Sequence, residues 1–238
     1  MKRRSLISEW SITTTITGAP SSPELPNAGG LFIVFEGVEG VGKTTQIERV
    51  AAALRERGMD PLVTREPGGT AAGEAIRAVA LDRSLILDPV AELLLMLAAR
   101  AVFVREVVGP ALEAGRVVLS DRYDLSSFAY QGGGRGIPSS KIQLLNELAT
   151  GGLRPHLYVV LDGDVETSLG RREKAAADRI EREDLAFHRR VGEAYRQLAA
   201  DDRDVALVDA RGEIEAVFGA IWGLLLGRFP ETFEPRMG

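Results

Sequence analysis

The chain alternates short, continuous apolar runs with longer stretches in which apolar residues recur every three to four positions. Leu31 to Phe35 is the first run, and it leads through a glycine-rich segment into a helix-compatible stretch from Lys43 to Arg57 that Gly58 stops. Comparable runs follow at Pro61 to Thr64, Arg116 to Ser120, Leu157 to Leu161 and Val205 to Val208. A strand that is apolar on both sides has no face to offer water, so it belongs in a sheet covered by helices on both surfaces. The pattern predicts a three-layer α/β fold with a mainly parallel five-stranded sheet.

The longest predicted helix runs from Pro89 to about Val108, with Leu93, Leu94, Leu97, Ala101 and Val104 in one wide apolar stripe. Pro138 opens another helix that ends near Gly151-Gly152, and Glu181 to Ala199 supplies a third, with Gly192 a weak point inside it. Met1 to Arg4 is basic, but Ser5 to Gly18 is interrupted by Glu9 and several Ser and Thr residues, which is poor material for a secretory segment. Gly18 to Gly30 is rich in Pro and Gly and reads as a linker. The expected organisation is a disordered extension over 1–30, one domain over 31–227 and a flexible, proline-containing tail over 228–238.

Composition narrows the function classes. The 238 residues suffice for one sizeable domain, and 45% hydrophobic with 26% charged residues is ordinary for a globular chain. A formal net charge of -5 argues against general nucleic-acid binding, so any phosphate must be held locally. Having no cysteine excludes disulfides, thiolate metal sites and cysteine nucleophiles. No apolar run approaches the roughly 18–20 residues that cross a bilayer. A cytoplasmic chain with neither membrane nor nucleic-acid partner is expected.

The chemistry is concentrated after the first strand. Gly37-Val38-Glu39-Gly40-Val41-Gly42-Lys43-Thr44 fits the phosphate-loop pattern of Gly, four residues, Gly, Lys, then Ser or Thr. Glycines let backbone amides turn inward around phosphates, the helix that starts near Lys43 adds positive potential, and the Thr44 hydroxyl suits Mg²⁺. Lys43 can bridge the β- and γ-phosphate oxygens of a nucleoside triphosphate. The second predicted strand ends in Thr64-Arg65-Glu66-Pro67-Gly68-Gly69-Thr70, which places Arg65 at the ligand crevice as an anion fork. The third ends in Asp121-Arg122, an acid for Mg²⁺ beside a base for a second anion. Ser126 to Gly136 reads as a flexible or close-approach loop in which Tyr130 and Gln131 suit a base or sugar, while Phe128 suits the core. Arg171, Arg172 and Lys174 cluster near a predicted helix end, either complementing its dipole or forming a basic lid.

Taken together, these segments resemble the thymidylate kinase family. The matching pieces are Phe35 to Thr45, Thr64 to Thr70, Ala98-Ala99-Arg100, and Asp121-Arg122-Tyr123 with Ser126, Ala129, Tyr130 and Gln131, within a span from Leu31 to Leu226. The resemblance implies a P-loop nucleotide kinase fold, ATP and dTMP as substrates with Mg²⁺, and a homodimer. It implies that Arg65 and Arg122 grip the dTMP phosphate, Arg100 contacts thymine, Ser127 and Gln131 lie near the base, and Tyr130 packs beneath the deoxyribose. Glu39, an odd acid inside a phosphate loop, would face the acceptor's 3′-hydroxyl region. Without an arginine in the loop, catalytic charge would come from the lid, through Arg172 and Lys174. Met96 stands where bacterial relatives usually place Phe against thymine, which implies broader or weaker dTMP binding. Two alternatives stay open: a kinase for another nucleoside or nucleotide, and a P-loop regulatory ATPase or switch.

Overall fold

The computed structural model describes residues 29–170 and 177–234. The five strands are β1 (Leu31–Glu36), β2 (Leu62–Arg65), β3 (Val117–Asp121), β4 (Leu157–Asp162) and β5 (Val205–Asp209). They lie in the order β2-β3-β1-β4-β5, and every neighbouring pair is parallel. The central strand β1 is buried along its whole length, whereas the edge strand β2 alternates half-buried and exposed positions and the other edge, β5, mixes buried and accessible ones. Phe32 to Phe35 share one solvent-free cluster with Val50, Ala51 and Leu54 of α1 (Lys43–Glu56), where each large side chain contributes about 1.5–3 kcal/mol.

Each strand ends on a charged residue: Glu36, Arg65, Asp121, Asp162 and Asp209. The register sets Arg65 beside Asp121, and Phe35 beside Asp121 from the other side. Apolar runs thus hand over to charge at the carboxyl edge of a parallel sheet, where ligand crevices form.

Helix starts follow local chemistry. In α2 (Ala71–Leu81) the Thr70 hydroxyl accepts from the Gly73 N–H at 2.8 Å, and in α3 (Pro89–Phe103) Asp88 accepts from Val90 at 2.8 Å. The predicted long helix does not stop at Val108. It passes through a π-helical turn, Val104–Val108, into α4 (Gly109–Glu113). Pro110 lacks an N–H and its ring crowds the preceding turn, and Gly109 reaches back five residues to the Val104 carbonyl. Within the predicted stripe, Leu93 and Leu97 are buried with Ile142 of α6 (Ser139–Thr150), but Leu94 is exposed.

Three expectations are corrected. The Ser126 to Gly136 segment is helical: α5 (Asp124–Ser127) runs into a π-helical stretch, Phe128–Gly134. Its glycines serve close packing, since a side-chain carbon at Gly133 would stand 2.6 Å from Ala194 of α8 (Leu185–Asp201). Helix α8 also starts later than Glu181, because Asp184 caps it through Phe187 at 2.7 Å while the Asp178 carboxylate accepts from Ile180 and Glu181 in the turn before it. Finally, the start of the predicted fraying tail forms α10 (Pro230–Phe233), which follows α9 (Ile214–Arg228). Phe233 is fully buried, 5.4 Å edge-on to Trp222. Between β4 and α8 lies α7 (Val165–Gly170). No helix among the described residues is long and apolar enough to cross a membrane.

Candidate active site

The phosphate loop joins β1 to α1. Gly37, Gly40 and Gly42 take φ of 135°, 73° and 105°, the left-handed region that glycine tolerates. At Gly37 a side-chain carbon would also lie 2.6 Å from the Leu161 carbonyl of β4, so the chain can leave the sheet here only without one. Lys43 is buried, and its Nζ donates to the carbonyls of Gly37 at 3.3 Å and Val38 at 3.1 Å. Burial pushes this amine below its ordinary value, helped by the Arg122 charge and opposed by Glu39, Asp121 and Glu36.

Asp121 at the end of β3 accepts from the Thr44 hydroxyl at 3.3 Å, and its other oxygen is 4.0 Å from Lys43 Nζ. That second oxygen, Oδ1, is buried without a hydrogen-bond partner among the described residues. An unsatisfied carboxylate oxygen beside a threonine hydroxyl is a donor set that fits Mg²⁺. Among the described residues no cluster of three acidic, His or Cys side chains forms a metal cage, so phosphate oxygens and water would complete the shell.

Arg122 occupies the centre. With φ 74° it is the one non-glycine residue with left-handed φ among those described, and its N–H donates to the Phe35 carbonyl at 2.9 Å. Its guanidinium donates to Glu39 at 2.5 Å and to Ser126, Tyr130 and Tyr195 at 3.1 Å each. Glu36, fully buried at the end of β1, stands 3.7 Å away and accepts from Tyr123, Ser126 and Tyr195. Burial raises the Glu36 carboxyl, with Arg122 and these hydrogen bonds opposing. Arg65 is more exposed and is paired with Glu74 at 3.0 Å on the rim.

Arg100 is buried in the wall. It makes four hydrogen bonds, to Glu66 at 2.8 Å, Ser127 at 2.9 Å, Asn146 at 2.8 Å and the Tyr123 carbonyl at 2.9 Å, which leave one of its five N–H groups. Burial pushes the Glu66 carboxyl up to about 7 against the pull of Arg100. The folded chain then holds a proton that the unfolded chain releases from about 4.5 upward, so this contribution to stability is present below 4.5 and lost as pH rises through 7. Melting temperatures measured from pH 5 to 8 should therefore fall more steeply for the parent chain than for Glu66→Gln. Parallel curves would contradict this.

One cavity of about 700 Å³ gathers Glu39, Lys43, Thr44 and Asp121 with Arg65, Met96, Arg100, Arg122, Ser127, Tyr130 and Gln131. Val38 and Val41 are buried instead and anchor the loop, while Gly37 lies beneath it against β4. Arg172 and Lys174 lie outside the described residues. Sequence reading assigned no role to Glu36, Glu66, Asn146 or Tyr195. Glu66 was visible inside the Thr64–Thr70 segment, whereas Tyr195 carries no signal that separates it from a core position on its helix.

Residues 35–221 match a family profile described as thymidylate kinase. A thymidylate kinase from a Synechococcus strain is 46% identical over 201 residues, covering 84% of this chain and 96% of the relative. One from Desulforudis audaxviator is 48% identical over 196 residues, covering 81% and 89%. The crystal structure of thymidylate kinase from Ehrlichia chaffeensis superposes with a TM-score of 0.68 at 28% identity, covering 83% of this chain and 99% of that one.

Proposed function

The chain belongs to the thymidylate kinase family and phosphorylates dTMP with ATP, and from that premise we propose how its residues divide the reaction. The loop from Gly37 to Thr44 cradles the ATP phosphates, with Lys43 on the β- and γ-phosphate oxygens. Arg65 and Arg122 hold the dTMP phosphate. Arg100, Ser127 and Gln131 surround the base, Met96 packs on its face, Tyr130 lies beneath the sugar, and Glu39 stands near the 3′-hydroxyl. Arg172 and Lys174 supply lid charge. Thr44 and Asp121 would hold Mg²⁺, which would supply positive charge against the phosphates.

The observation that carries this reading is that two anion sites of different construction face one cavity. A buried lysine in a backbone cradle forms one, and an arginine braced by Glu39, Ser126, Tyr130 and Tyr195 forms the other. A switch needs only the first. The attacking group is a phosphate oxygen already ionised near neutral pH, so no side chain has to remove a proton. That oxygen displaces ADP in line at the γ-phosphorus, and no covalent enzyme intermediate forms. Positioning and charge neutralisation then provide most of the acceleration.

The proposal extends to a homodimer. Val90 and Leu94 on α3, with Leu144 and Leu148 on α6, are exposed apolar side chains spaced four residues apart on two helices that pack together. The reading is tested by following ADP release and dTDP formation. Release should depend on dTMP and match dTDP mole for mole, and acceptor-independent hydrolysis at the same rate would overturn it.

A further inference from the structure

Glu92, in the first turn of α3, is fully buried and yet collects three partners from two distant parts of the chain. Its Oε1 accepts from Gln131 Nε2 at 2.8 Å and, at 3.3 Å, from Arg135 Nε. Its Oε2 accepts from Arg135 Nη2 at 2.9 Å and Arg179 Nη1 at 2.8 Å. Both arginines are anchored elsewhere, Arg135 on Glu183 at 2.6 Å and Arg179 on the Ala80 carbonyl at the end of α2. Burial alone would raise the Glu92 carboxyl, but hydrogen bonds from Arg135, Gln131 and Arg179 hold it below the ordinary value. It is therefore an ionised group that can only accept.

The consequence falls on Gln131. A side-chain amide has two ends of opposite hydrogen-bonding character, and an acceptor-only neighbour dictates which end faces it. The NH₂ end must face Glu92, which turns the carbonyl end away. Gln131 lines the cavity, and its carbonyl oxygen has no hydrogen-bond partner among the described residues and is not sealed off as a buried orphan.

We infer that Glu92 is a positioning residue that fixes the Gln131 amide with its carbonyl toward the acceptor pocket, selecting a base that carries a ring N–H. Thymine and uracil offer that donor; cytosine offers a lone pair at the same ring position. The inference rests on the dTMP reading of the pocket, which turnover of dTMP by the parent chain tests on its own.

The deciding variant is Glu92→Gln. Its carbonyl oxygen is claimed by Arg135 and Arg179 at the Oε2 position, so its own NH₂ confronts Gln131 and forces that amide to turn over. The ratio of kcat/KM for dTMP to that for dCMP should fall at least tenfold, through the dTMP KM, with the KM for ATP within twofold of the parent. A Gln131→Met chain should lose the same preference, and adding Glu92→Gln to it should change the ratio no further. A role confined to holding the fold would lower both acceptors together and leave the ratio in place. A folded Glu92→Gln chain with its ratio within twofold of the parent would overturn the inference. Should that chain fail to fold, an unchanged ratio in Gln131→Met would overturn it equally.

Discussion

Lys43→Ala should lower kcat for dTMP phosphorylation by roughly a thousandfold or more, with a melting temperature no lower than the parent's. The two halves of this expectation have different origins. Lys43 is the buried cation of the phosphate loop, held by the Gly37 and Val38 carbonyls and 4.0 Å from Asp121, so its charge is aimed before nucleotide arrives. A preorganised charge that follows the transferring phosphoryl group acts mainly in the transition state, which is why kcat falls. Stability responds differently because burial disfavours this ammonium, and deleting it relieves a desolvation cost that offsets the two hydrogen bonds it loses. Steady-state kinetics with thermal denaturation of the same preparation checks both. Turnover within tenfold of the parent would remove Lys43 from the reaction.

Arg122→Ala should reduce kcat/KM for dTMP by on the order of a thousandfold, change the KM for ATP much less, and also destabilise the fold by up to about 3 kcal/mol. Here catalysis and stability are lost together. The guanidinium joins Glu39 of the phosphate loop, Ser126, Tyr130 and Tyr195, and it is the nearest cation to the buried Glu36. Removing it takes this partner from Glu39 and its nearest cation from the buried Glu36. Arg122→Lys keeps a charge but cannot span four partners with one ammonium, so it should recover stability more fully than acceptor affinity. Denaturant unfolding and acceptor titration of both variants separate these effects. Equal losses for dTMP and ATP would contradict the assignment of Arg122 to the acceptor.

Much of this arrangement was legible in the sequence where local geometry dictates it. The phosphate loop could be read because its glycine spacing alone sets the backbone turn, and the strands because a continuous apolar run has few other places to go. The charged strand ends Arg65 and Asp121 followed from that reading and lie side by side in the sheet. The misreadings share one cause. Gly132 to Gly134 read as a flexible or close-approach loop; the close approach holds, with α8 against Gly133 and Gly134, but the segment is helical. The tail looked frayed because its proline content is local, whereas the burial of Phe233 against Trp222 is tertiary. Arg100 could be noticed by resemblance, but its partners Glu66, Tyr123, Ser127 and Asn146 come from three separate segments that only the fold assembles. The same holds for Glu92 and Tyr195, whose importance lies in what long-range packing brings to them.

The central claim is that one cavity holds two phosphate sites and passes a phosphoryl group from ATP to dTMP. Rates with ATP across dTMP, dUMP, dCMP, dGMP and thymidine test it most directly. The account predicts the highest kcat/KM for dTMP, a lower but measurable value for dUMP, and little turnover of thymidine, which brings no phosphate for Arg65 and Arg122 to hold. A preference for dCMP, dGMP or the unphosphorylated nucleoside would contradict it.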